Sequence, residues 1–90
     1  MSRKEDLNTI ISHYGIRNQL KKLHEELYEL TEVILYEHDK ERLEEEFADV
    51  QVLLSQIREY CRLDCNNINY YIDFKIDRQL KRIEGEEWNN

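Results

Sequence analysis

The sequence predicts an all-α fold: an antiparallel helical bundle of one short and three longer helices per chain, completed by oligomerisation. Three observations carry this expectation. The chain has 90 residues with no Pro and only two Gly, so the usual punctuation of strands and turns is nearly absent. Leu, Ile, Glu, Lys and Arg are abundant, a composition that favours helices. Apolar residues recur at intervals of three and four along most of the chain, as on one buried face of a helix.

In chain order, Asp6 is positioned to cap a short helix carrying Leu7, Ile10, Ile11 and Tyr14. Gly15 breaks it. A second helix runs from about Asn18 to about Glu37 on the stripe Ile16, Leu20, Leu23, Leu27, Leu30 and Ile34, with Val33 on its covered flank. His38-Asp39-Lys40 reads as a short turn with Asp39 as N-cap. A third helix runs from about Lys40 to about Leu63, with the stripe Leu43, Phe47, Val50, Leu54, Ile57 and Cys61. Asp64-Cys65-Asn66-Asn67 is a polar turn in which Asn66 or Asn67 caps the last helix. That helix carries Ile68, Ile72, Ile76, Leu80 and Ile83 and is expected to stop near Gly85, with Trp88 available to tie down the tail. Short connections favour antiparallel neighbours. No linker or repeat interrupts the chain, so residues 1–90 read as a single domain. A domain this small covers its core poorly, which makes a homodimer or homotetramer the expectation.

Composition narrows the function. A formal net charge of −7 argues against a partner such as a nucleic-acid polymer, which is held by Lys and Arg on phosphates. No window is apolar enough to span a bilayer, and the N-terminus lacks a signal-peptide core, so no membrane partner and a cytoplasmic location are expected. Cys61 and Cys65, one helical turn apart, fit reduced thiols better than a disulfide framework. They lack a second ligand pair for zinc. His13, His24 and His38 share no ligand spacing. No Ser-His-Asp arrangement or glycine-rich phosphate loop is visible.

The carboxylates are more informative. At about 100° per residue, Glu25 falls opposite the core, whereas Glu26 falls about 80° from the centre of the apolar stripe, with Glu29 one turn on along the same flank. Glu46 falls only about 50° from the centre of its own stripe, with Asp49 a turn away on the same side. A carboxylate among core positions is costly without a partner. It needs either a salt bridge to another helix or a cation. If the second and third helices pack antiparallel, Glu26, Glu29, Glu46 and Asp49 face one another across the groove, and such a cluster repels itself unless something cationic intervenes. Magnesium fits oxygen ligands and keeps waters and phosphates in its shell; manganese and calcium share the ligand preference.

The two motifs also carry a resemblance. Glu25-Glu26-Leu27-Tyr28-Glu29, followed after residues 30–45 by Glu46-Phe47-Ala48-Asp49, resembles the EExxE and ExxD motifs of the MazG-like all-α nucleoside triphosphate pyrophosphohydrolases, a superfamily that includes dimeric dUTPases and dCTP pyrophosphatases. The resemblance spans about Asn18 to about Ile83. It implies a hydrolase that uses Mg2+, with Mn2+ as a possible substitute. The reaction would cleave a nucleoside triphosphate between its α- and β-phosphates to give the monophosphate and pyrophosphate. It further implies Glu26, Glu29, Glu46 and Asp49 as metal ligands, Glu25 as an orienting group within the catalytic set, and a pocket completed by neighbouring subunits.

On the last helix, Tyr71, Lys75, Arg78 and Arg82 line one side of the apolar stripe, and Asp73, Asp77 and Glu84 the other. They form ordinary surface ion pairs or, on the basic side, meet a triphosphate. The resemblance favours the second role, because family members tend to carry basic residues there; where many carry Asn, the nearest residue here is Gln79. Lys22, one turn before Glu26, contacts phosphate or pairs with Glu26. The competing expectation is a non-catalytic helical interaction protein, or a degenerate family member that binds nucleotides without cleaving them.

Overall fold

The structure is a computed structural model describing residues 2–89, with side chains described through Glu86. Every element is helical. The order is α1 (Arg3–Tyr14), α2 (Ile16–Glu32) continued by a π-helical turn (Val33–Glu37), α3 (Lys40–Tyr60) and α4 (Cys65–Asn89).

The local chemistry explains each boundary. Ser2, not Asp6, caps α1: its Oγ accepts from the Glu5 N–H at 3.2 Å, and Asp6 lies inside the first turn, where a negative charge suits the helix dipole. Gly15 separates α1 from α2 at φ 89° and ψ 149°, a backbone region that essentially only glycine occupies. Its N–H still closes on the Ile11 carbonyl at 2.8 Å. Beyond Glu32 the ladder widens, and the His38 N–H reaches the Val33 carbonyl at 3.3 Å. His38 then turns left-handed at φ 58°. Asp39 caps α3 as expected, accepting from the N–H groups of Glu41 and Arg42 at 3.0 and 3.3 Å. Arg42 also reaches back across the turn to Glu37 at 2.6 Å.

Two terminal expectations are corrected. The cap of α4 is Asp64, which accepts from Asn66 and Asn67 at 2.7 and 3.1 Å; the two asparagines are donors here, not caps. Gly85 does not end α4, which continues to Asn89. A single glycine weakens a helix but does not stop one. The Trp88 side chain lies outside the described residues.

Helices α1, α2 and α3 pack on one another, and α4 packs on none of them among the described residues. The molecule is accordingly drawn out to 53 × 35 × 23 Å. Helices α2 and α3 run antiparallel, because Gln19 meets Gln56 while Glu26 lies beside Glu46 and Asp49. Their seam is narrower than the apolar stripe. The covered positions of α2 and its π-helical continuation include Ile16, Gln19, Leu23, Glu26, Leu30 and Val33, and those of α3 include Leu43, Glu46, Val50, Leu53 and Ile57. Both series alternate steps of three and four, as in a heptad seam.

The other half of each stripe is left outside: Leu20, Leu27, Ile34, Phe47 and Leu54 are exposed, as is Cys61. The reason is α1. Its buried Leu7 and Ile11 press on one side of the α2–α3 pair, while no described helix covers the other. Val33, expected on a covered flank, is the most deeply buried large side chain at 1% exposure.

Candidate functional site

The seam carries the polar residues that need explanation. Glu26 and Glu46 occupy heptad positions on facing helices, and Asp49 lies one turn from Glu46 at the seam's edge. One carboxylate oxygen from each can be chosen so that all three lie within 4.8 Å of one another. Glu26 and Glu46 are half-buried and Asp49 is exposed.

Two oxygens are unsatisfied. Oε2 of Glu26 and Oε2 of Glu46 are sealed from solvent with no hydrogen-bond partner among the described residues. Loss of hydration pushes the Glu46 carboxyl above the ordinary glutamate range; the adjacent Glu26 carboxylate adds to this, Asp49 adds through charge, and Arg42 partly opposes it. The salt-bridge solution for Glu46 is not adopted. The described ion pairs are Arg42–Glu37 and Lys81–Asp77, and neither involves Glu26, Glu46 or Asp49. Lys22 is likewise not paired with Glu26.

The chemistry of this donor set suits a hard divalent cation. Magnesium–oxygen bonds of about 2.0–2.1 Å put two ligands of one ion at most about 4.2 Å apart, so an oxygen pair at the wide limit needs to close by about half an ångström. A divalent cation would offset most of the charge of three crowded carboxylates and could give partners to the buried Glu26 and Glu46 oxygens.

Beside the triad lies a cavity of about 640 Å³ between α1, α2 and α3. Glu26 and Asp49 line one part of it together with Lys21, Lys22 and Glu25. Ile10, Tyr14, Val52 and Leu53 provide apolar wall, and Gln19 and Gln56 line it from the core. Of the residues singled out from sequence, the structure thus gathers Glu25, Glu26, Asp49 and Lys22 around one cavity, with Glu46 behind it in the seam. Glu29 lies outside the triad, in a shallow hollow shared with His24, Glu25 and Tyr28. No family model, curated protein or solved structure matches the chain.

Lys75, Arg78 and Arg82 are exposed on α4, which among the described residues touches neither α2 nor α3. None of the three has an ion-pair partner among the described residues; Arg78 lies 6.0 Å from the Phe74 ring centroid. The acidic side of the same helix does pair, Asp77 with Lys81 at 3.0 Å. Sequence reasoning missed Gln19 and Gln56. Their signal was available in the three-and-four spacing that links Gln19 to Leu23 and Glu26, but two amides interrupt the apolar pattern that draws attention to a stripe.

Proposed function

We propose that the chain is a magnesium-dependent nucleoside triphosphate pyrophosphohydrolase acting as a homodimer or homotetramer. The observation that carries this reading is the Glu26–Glu46–Asp49 triad, with two buried unsatisfied oxygens, opening beside a cavity that also presents Lys21 and Lys22. The resemblance of its motifs to those of the MazG-like enzymes supplies the nucleotide. Glu26, Glu46 and Asp49 would hold the metal, with Glu29 a turn away as a further ligand from the outer side. Bound there, magnesium supplies charge neutralisation on phosphate oxygens. Lys22 faces the same cavity and offsets charge on the polyphosphate. A carboxylate at the rim takes the proton of the attacking water. Water oxygen joins the α-phosphorus, the α–β bridge breaks, and pyrophosphate leaves.

Two apolar surfaces left uncovered among the described residues support oligomerisation. One is the groove lined by Leu27, Phe47, Val50 and Leu54. The other is the α4 stripe, with Ile72, Ile76, Leu80 and Ile83 all exposed. In this reading Lys75, Arg78 and Arg82 reach the triad from a neighbouring copy, since α4 does not approach it within one chain.

A panel of ribo- and deoxyribonucleoside triphosphates with magnesium, assayed for pyrophosphate, tests the reading. Release from at least one substrate is expected, abolished by Glu46→Gln and Asp49→Asn in folded protein. Equal activity in those variants refutes the assigned ligands. The exposed apolar faces also suit a non-catalytic interaction protein, which would bind a partner helix and release no pyrophosphate from any substrate.

A further inference from the structure

The buried amide pair Gln19–Gln56 has no role in the metal chemistry, yet it is the least exposed polar feature of the described residues. Gln19 is 5% exposed and Gln56 2%. They meet across the α2–α3 seam, Gln19 Nε2 donating to Gln56 Oε1 at 2.8 Å. A primary amide offers two donors and two acceptor positions. This single bond therefore leaves Gln19 Oε1 and the Gln56 NH2 group without partners among the described residues. Both residues line the 640 Å³ cavity beside the triad. Neither free group is sealed from solvent, so a ligand in the cavity can take their remaining valences.

We propose that the Gln19–Gln56 pair is the base-reading element of the site, taking the hydrogen-bonding edge of the substrate's nucleobase. The inference deepens the nucleotide reading and rests on it. The pair presents one free carbonyl and one free NH2. Turning both amides over reverses which residue supplies which, but still leaves one acceptor and one donor. A nucleobase edge offers the complement, a donor next to an acceptor. Tyr14, Ile10 and Val52 give apolar wall for a ring, and the cavity volume falls in the usual range for small-molecule pockets, roughly 300–1,000 Å³. The same cavity reaches Lys22, Glu26 and Asp49, so a base at the amides points its phosphates toward the triad.

The test follows the side-chain amide signals of Gln19 and Gln56 by NMR. The full chain is titrated with adenosine, guanosine, cytidine, uridine and thymidine without metal, and then with the matching triphosphates and inorganic tripolyphosphate with magnesium. One base is expected to shift both amide signals saturably, as nucleoside and as triphosphate. The paired variant Gln19→Met/Gln56→Met removes donor and acceptor together at nearly constant volume, so it should fold. It should lose at least about tenfold in base discrimination, the equivalent of one hydrogen bond. The proposal is overturned if no nucleoside or triphosphate moves these signals, if tripolyphosphate moves them as much as any nucleotide, or if the paired variant keeps the wild-type preference. Because the nucleosides carry no phosphate and need no metal, base binding without pyrophosphate release would count against the hydrolase alone.

Discussion

Helices α2 and α4 carry apolar stripes of similar regularity, but they meet different fates. In α2 half of the stripe enters a seam with α3, together with Gln19 and Glu26. In α4 the whole stripe from Ile72 to Ile83 stays exposed, with Ile76 at 55% and Leu80 at 59%. The difference teaches that periodicity reports the existence of a buried face but not the identity of its partner. It also shows that the polar members of a seam are the informative ones. The α4 stripe needs only a cover, whereas Glu26, Glu46, Gln19 and Gln56 need partners of specific chemistry.

The comparison breaks most visibly through the core. Leu53→Ala, at 3% exposure in the α2–α3 seam, should cost about 2–5 kcal/mol in denaturant unfolding, a large part of the stability of so small a domain. Leu80→Ala should cost little at high dilution and more as concentration rises, if α4 is covered by a second copy. A concentration-independent loss equal to that of Leu53→Ala would show that α4 is covered within its own chain. Charging the stripe with Ile76→Asp and Leu80→Asp should shift the chain to a monomer in light scattering, and an unchanged mass would remove α4 from the interface.

A smaller effect is expected from pH. The folded chain holds a proton on Glu46 more tightly than the unfolded chain does, so metal-free stability should fall as pH rises from the ordinary glutamate value, about 4.3, through the raised folded value. Glu46→Gln should flatten that slope, as read by thermal unfolding across the acidic range. A slope that persists in the variant would assign it to other groups. The smallest effect belongs to Gly85. It lies inside α4, and a methyl added there meets nothing within 4 Å, so Gly85→Ala should raise helix stability by about 0.5–1 kcal/mol. A loss instead would mean that a partner approaches closely at that point.

Much of the fold was legible because its signals are local. Gly15 needs a conformation that other residues avoid, Asp39 has two free N–H groups ahead of it, and the three-and-four spacing marks the helices. The misplaced caps were local too: Ser2 and Asp64 each lie immediately before a helix whose first turn contains other good cap residues, so side-chain type alone did not choose among them. What sequence spacing left undetermined was rotation. The centre of an apolar stripe is not the centre of a seam when a third helix covers only one side. That is why Leu27 and Phe47 are exposed while Gln19 and Gln56 are buried. Glu46 was legible for the opposite reason, since it sits close to both centres.

The central claim, that Glu26, Glu46 and Asp49 form one cation site, is tested most directly by titrating magnesium and manganese into the chain and following its thermal unfolding. At a hundredfold excess over the dissociation constant, binding at one site should add about 2.7 kcal/mol. The rise should vanish in Glu46→Gln and in Asp49→Asn, with both variants still folded. No metal-induced rise in the wild type, or an equal rise in the two variants, would contradict the account.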